Sequence, residues 1–300
     1  MSANFIGNAL VGPAEICDVY DFGGESLAVS ASSPDVLAAL RKILRPPLAA
    51  PLSRTSTIVG ARTGRDGWQL EVDGAVVRGM AFSTPIPRIA EEVIATACSA
   101  VAKKRSNILV SGAILAKDGV TVALIGDDLD SAKVLGFHLH ARGWAAVTFG
   151  YGFVNGATLE VAGLPALASV SSTSIDQIPP RYRGAIEASL WYYSGFDLMF
   201  YTVDPLLVHP RAESDVVLTH VVIVDGELED KPSLTGDIDL ARLGTLGVQP
   251  LVQYLRFARL TLGAPIASCG AVEQWVLSSP IARDVVVSRQ SPNLERTYES

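Results

Sequence analysis

The chain has 300 residues, of which 49% are hydrophobic and 18% are charged, and its formal net charge is −7. This composition indicates a folded protein with a sizeable core, not a disordered one. The acidic balance argues against nucleic acid or an anionic membrane as the main partner, since the longest basic run is Lys103, Lys104 and Arg105. The sequence shows neither a secretory leader pattern nor an apolar segment of ~20 residues, so we expect a cytoplasmic protein.

The three cysteines carry little information about function. Cys17, Cys98 and Cys269 are odd in number and far apart, so neither a disulfide framework nor a C-x-x-C metal clamp is available. Buried free thiols are the simplest interpretation.

The first 85 residues predict short strands around one helix, which lies within PDVLAALRKIL. The turn at Asp73 and Gly74 predicts a β-hairpin. We therefore predict a small α+β part over residues 1–85 and a main α/β domain over residues 86–300.

The main domain opens with the clearest helical pattern of the chain. Residues 87–104 repeat apolar side chains at intervals of three and four, with acids early and bases late, as the helix dipole favours. A second hairpin with its turn at Asp118 and Gly119 follows, and its second strand, VTVALIG, leads straight into a loop and a helix. Chemistry is expected at the carboxyl end of this strand.

The loop after this strand has the position of a phosphate-binding loop but lacks most of its residues. Such a loop reads G-x-x-x-x-G-K-[ST], because glycines let backbone N–H groups approach the phosphates and the lysine reaches their oxygens. Gly126 matches the first glycine, whereas the second glycine, the lysine and the hydroxyl fall on Ser131, Ala132 and Lys133. On a helix, one position is a rotation of about 100°, so Lys133 does not replace the missing lysine.

Acidic residues make the loop still less suited to a polyphosphate. Asp127, Asp128 and Asp130 bring three negative charges to the place where phosphates would bind. These acids are interpreted either as a solvated helix N-terminus, where the dipole favours them, or as the ligands of a recruited cation.

The segment from Gly119 to Gly150 resembles the HPr kinase/phosphorylase family and its relatives over about thirty residues. In that family a His-Gly pair opens the hairpin, G-D-S-G-x-G-K-S forms the loop, the helix ends in R-G, and an Asp-Asp pair closes the next strand. The resemblance extends loosely to GATLEVAGLPALASV, where the family has a strand and a G-L-P turn. It implies a P-loop fold with a central mixed sheet that uses ATP or pyrophosphate to phosphorylate a serine hydroxyl on a protein or peptide.

The departures from the family fall on the residues of its chemistry. The family's His falls on Ser111, its loop lysine on Ala132 and its Asp-Asp pair on Phe149 and Gly150. The retained positions shape the backbone: Gly112, Gly119, Gly126, Arg142 and Gly143. This pattern is typical of a pseudoenzyme. No cofactor is predicted, apart from a Mg²⁺ or Mn²⁺ ion carried in with a nucleotide.

The candidate ligand-binding residues form two sets. The first set is Gly126, Asp127, Asp128, Asp130, Ser131 and Lys133; the second is His138, His140, Arg181 and Arg183. The histidines lie two apart on the helix and so cannot share a metal as an i, i+4 pair does. The arginines belong to an aromatic-rich stretch, residues 176–201, that suits either an anionic ligand or a packed core or subunit interface.

The last third predicts architecture more than chemistry. The segment DVVLTHVVIVDGE is typical of a central strand that ends in an Asp-Gly turn. Residues 246–262 indicate an amphipathic helix, which Pro250 would kink. Residues 282–290 indicate a final strand.

Two functions remain open at this stage. In the first, a catalytically degenerate HPr-kinase-like protein binds a protein or peptide partner, or a new ligand at the vacated nucleotide site, beside a biosynthetic pathway. In the second, the same scaffold is an active enzyme, either a divergent ATP-dependent serine kinase or one with a repurposed reaction. A homo-oligomer is compatible with both.

Overall fold

The computed structural model describes residues 16–22, 25–44, 57–126, 129–164, 168–171, 173–187, 200–203, 216–228, 231–236, 238–262 and 265–279. Over these residues the chain is an α/β protein with a five-stranded sheet, an eight-stranded sheet and a small three-stranded sheet. The α/β prediction is therefore confirmed. Within this part of the chain, no helix is both long enough and apolar enough to span a bilayer.

The N-terminal sheet has its five strands in chain order. They are β1 (Ile16–Phe22), β2 (Glu25–Ala31), β3 (Thr57–Thr63), β4 (Trp68–Val72) and β5 (Ala75–Met80), with α1 (Pro34–Ile43) after β2. β2 and β3 run parallel, because α1 lies between them, and the other pairs are antiparallel. The predicted hairpin between β4 and β5 is confirmed: Asp73 and Gly74 both have positive φ, 50° and 81°, as a tight turn requires.

Helix α2 (Ile86–Arg105) packs this sheet against the larger one. Its apolar face, with Ile89, Val93 and Ala97 fully buried, shares one core with β2, β3 and α1. Phe153 and Leu164 from the large-sheet side close the same core. The predicted helix over residues 87–104 is confirmed, whereas the proposed division at residue 85 stays a prediction.

The eight-stranded sheet holds the candidate loop. Its strands are β6 (Asn107–Lys117), β7 (Val120–Ile125), β8 (Ala145–Asn155), β9 (Glu160–Gly163), β13 (Val216–Val217), β14 (His220–Leu228), β15 (Ser233–Thr235) and β16 (Arg256–Leu262). The strand order is β13-β9-β8-β6-β7-β14-β16-β15. β7, β14 and β16 are parallel and the remaining neighbours antiparallel, so the sheet is mixed.

Helices cover both faces of this sheet. Val122 and Leu124 of β7 face a core that includes α3 (Leu129–Ala141) and α5 (Pro265–Ser278). Ala123 and Ile125 face the opposite core, to which α4 (Leu240–Thr245) contributes Leu243. The six residues of β7 are buried throughout, which is typical of a strand covered on both faces.

A small sheet lies beside α3. Its strands, in the order β10-β12-β11, are β10 (Ala168–Ser171), β11 (Ile186–Glu187) and β12 (Phe200–Val203). Two 3₁₀ turns, Ile175–Gln177 and Pro180–Ala185, lead from β10 to β11.

The predictions for the last third have different outcomes. The single central strand predicted over residues 215–227 is confirmed only for its second part: His220–Leu228 form the central strand β14, which continues through Asp225 and Gly226 without a turn, whereas Val216–Val217 form β13 at the edge of the sheet. The helix predicted over residues 246–262 is wrong. After a 3₁₀ turn at Gln249–Leu251 the chain forms β16, because pairing with β14 on one side and β15 on the other satisfies both edges of this alternating segment. The strand predicted over residues 282–290 lies outside the described residues.

Candidate functional site

The candidate site lies at the carboxyl edge of β7 and β14. These strands are parallel neighbours, with Val122 opposite His220 and Ile125 opposite Ile223. The helix that follows β7 covers one face of the sheet, whereas α4, which follows β14, covers the other. In open α/β sheets such a reversal leaves a crevice between the two strand ends, and ligands bind there.

Gly126 is held at this edge by a close approach of two backbones. A Cβ atom on Gly126 would lie 2.3 Å from the carbonyl oxygen of Val224 in β14. No side chain is tolerated there without moving the strand, so this retained glycine has a packing reason independent of phosphate binding.

The loop between β7 and α3 is too short for a phosphate cradle. Helix α3 already begins at Leu129, whereas the sequence match would keep residues up to Ser131 in an open loop. Among the described non-glycine residues, positive φ occurs only at Asp73, Ser106, Asp118 and Leu159, so Leu129 and Asp130 do not take the strained conformation that a cradle would need. The backbone of Leu129, Asp130 and Ser131 therefore belongs to the first turn of α3 and not to an open loop.

The two positions on which the lysine and the hydroxyl of such a loop fall, Ala132 and Lys133, are both buried. Ala132 is fully buried in the core between α3 and the sheet. Lys133 is only 8% exposed, and its ammonium lies 3.9 Å from the carboxylate of Asp130, one helical turn earlier. Lys133 therefore forms an ion pair within α3.

Asp130 ties the start of α3 to the small sheet. Its Oδ2 accepts a hydrogen bond of 2.9 Å from the backbone N–H of Ser171 at the end of β10. Its place in the first turn of α3 also suits the helix dipole. Of the two interpretations of the acids, this carboxylate follows the structural one; Asp127 and Asp128 lie outside the described residues.

Asp225, which was not among the predicted site residues, is a buried carboxylate at the same edge. In P-loop NTPases an aspartate at the end of a neighbouring strand helps to hold Mg²⁺. Here the Asp225 carboxylate is bound by Arg242 of α4 and Arg259 of β16, and its side chain is 7% exposed. The signal for it was present in the sequence, since a run of apolar residues ends in Asp225.

The second set of candidates lies at the other end of α3. The helix has 13 residues, so its ends are about 18 Å apart at 1.5 Å per residue. His138 donates from Nε2 to the carbonyl oxygen of Gln177 at 2.7 Å, and burial lowers the pKa of this histidine. Arg181 donates to the carbonyl oxygen of His140 at 2.6 Å.

His140 and Tyr182 complete this contact. Both are fully buried, and Nδ1 of His140 lies 2.5 Å from the Tyr182 hydroxyl. Burial raises the pKa of Tyr182 to about 12. These residues hold the 3₁₀ segment against α3. Of the two interpretations of the aromatic-rich stretch, Tyr182 therefore follows the packed core. The side chain of Arg183 and residues 188–199 lie outside the described part of the chain.

The other positions on which the resemblance was examined have packing or backbone roles. Phe149, at the place of an acid, is buried and stacks on Phe137 with ring centroids 4.4 Å apart. A Cβ on Gly112 would lie 2.0 Å from the carbonyl oxygen of Leu124, so this glycine permits the pairing of β6 and β7. Arg142 forms an ion pair of 2.6 Å with Glu273 of α5, and Gly143 ends α3 with φ at 93°.

The structure thus divides the predicted site. Gly126, Asp130, Ser131 and Lys133 lie together at the start of α3, whereas His138, His140 and Arg181 lie together at its end. Within the described ranges, no three His, Cys, Asp or Glu side chains are grouped to hold a metal ion. Ser171 joins the first group through its hydrogen bond to Asp130, and Arg242 and Arg259 bind Asp225. No local pattern in the sequence indicates these tertiary contacts.

Comparison with known proteins adds no assignment. No protein-family model matches this chain, and no curated protein sequence matches it either.

Proposed function

We propose that this protein is a catalytically degenerate relative of the HPr kinase/phosphorylase proteins. In this proposal it binds a protein or peptide partner, or a new small ligand, in the crevice at the carboxyl edge of β7 and β14, and it does not transfer a phosphoryl group. A place beside a biosynthetic pathway, where a binding protein would present or retain a substrate, fits this role.

The observation that carries the proposal is the early start of α3. Because the helix begins at Leu129, the chain has only three residues, 126–128, between β7 and the helix. A phosphate cradle needs a longer open loop whose N–H groups converge on the phosphates. Phosphoryl transfer also needs cations that neutralise the developing charge, and the ammonium of Lys133 lies 3.9 Å from the carboxylate of Asp130.

The second support comes from Asp225. Two guanidinium groups bind its carboxylate. The residue that most resembles a metal-binding aspartate therefore already has its negative charge balanced by arginines. A ligand at this edge would meet an arginine-rich side formed by Arg242 and Arg259 and an acidic side formed by Asp130. Such a crevice suits a ligand with polar groups of both signs better than a polyphosphate.

The proposal that the protein does not act as a phosphotransferase is tested by calorimetric titration with ATP, GTP and pyrophosphate, each with and without Mg²⁺ and Mn²⁺. We expect no heat of binding; micromolar binding would favour a divergent kinase and contradict the proposal.

The proposed binding of a partner or ligand at this edge is tested with protein purified from its own cells. Native mass spectrometry is expected to detect a retained ligand or partner, which Ser131→Trp at the start of α3 removes and the matched exposed change Ser99→Trp on α2 does not. If both variants retain the ligand equally, the ligand binds elsewhere and the proposed site is wrong.

A further inference from the structure

We draw no further inference here: the strongest candidate, the side-chain cluster that Asp225 of β14 forms with Arg242 of α4 and Arg259 of β16, belongs to the site already described.

Discussion

Nδ1 of His140 lies 2.5 Å from the hydroxyl oxygen of Tyr182, and both side chains are fully buried. The rings are stacked with centroids 5.8 Å apart, and the hydroxyl also donates to the carbonyl oxygen of Phe137 at 3.4 Å. This pair joins α3 to a segment 42 residues later in the chain, and it makes the 3₁₀ turn part of the core.

Tyr182→Phe should therefore destabilise the protein. The change keeps the ring but leaves the buried Nδ1 of His140 without this hydrogen bond, which costs about 1–2 kcal/mol. Urea unfolding measures the loss. Tyr254→Phe, at a 42% exposed site, is the control and should change stability by less than about 0.5 kcal/mol; equal effects of the two changes would contradict a structural role for the pair.

Ala132→Lys is expected to damage the fold without restoring nucleotide binding. Position 132 is fully buried against the sheet, so a lysine there adds volume and a charge to a packed core, and the free energy of unfolding should fall by at least about 2 kcal/mol. Ala38→Lys, on the exposed face of α1, should be nearly neutral. Tight ATP binding by a stably folded Ala132→Lys protein would show that the backbone opens into a phosphate cradle.

Asp130 and Lys133 should behave as a coupled structural pair. Asp130→Ala removes the acceptor of the Ser171 N–H and leaves the ammonium of Lys133 without this carboxylate, so we expect a loss of about 1–3 kcal/mol. Lys133→Met fills the same space and should cost less. In a double-mutant cycle measured by urea unfolding, the double variant should be more stable than the sum of the single losses predicts; strict additivity would deny the coupling.

Asp225→Asn should loosen α4. The change removes the charge that binds Arg242, whose side chain is 23% exposed, and Arg259, whose side chain is 51% exposed. Because Arg259 is screened by solvent, most of the expected loss of about 2 kcal/mol comes from Arg242. Hydrogen exchange of residues 240–245 should accelerate. Asp66→Asn, at an exposed position between β3 and β4, should leave both quantities unchanged. A similar response to the two changes would contradict a role for Asp225 in holding α4.

His220 should make stability depend on pH below neutrality. Burial, followed by the nearby charge of Arg256, lowers the pKa of His220 to about 4. The unfolded histidine, with a pKa near 6.5, binds a proton more readily than the folded one, so stability is complete above about pH 6.5 and falls as pH decreases towards 4.

The size of this effect is on the order of 3 kcal/mol when the whole interval is crossed. Comparing the pH dependence of urea unfolding for the natural chain and His220→Gln isolates it, since the carboxylates titrate in both proteins. The slope between pH 6.5 and 4 should be smaller in the variant; identical slopes would show that His220 is protonated without cost.

The sequence by itself determined the elements whose signals are local. The Asp-Gly turns at 73–74 and 118–119 have the positive φ angles that their residues favour, and the helix over residues 86–105 follows its apolar period. The buried strand after Gly119 and the absence of a complete phosphate-binding motif could also be predicted from the sequence, because each depends on residues adjacent in the chain.

Only the tertiary structure decided what the loop region became. Leu129 starts a helix and Ala132 faces the core because α3 packs onto the sheet, and residues 256–262 are a strand because two neighbours pair with them. The partners of Asp130, His140 and Asp225 lie 41, 42 and 34 residues away, respectively, counting Ser171, Tyr182 and Arg259. Contacts at such separations depend on how the elements pack, which no local pattern of residues encodes.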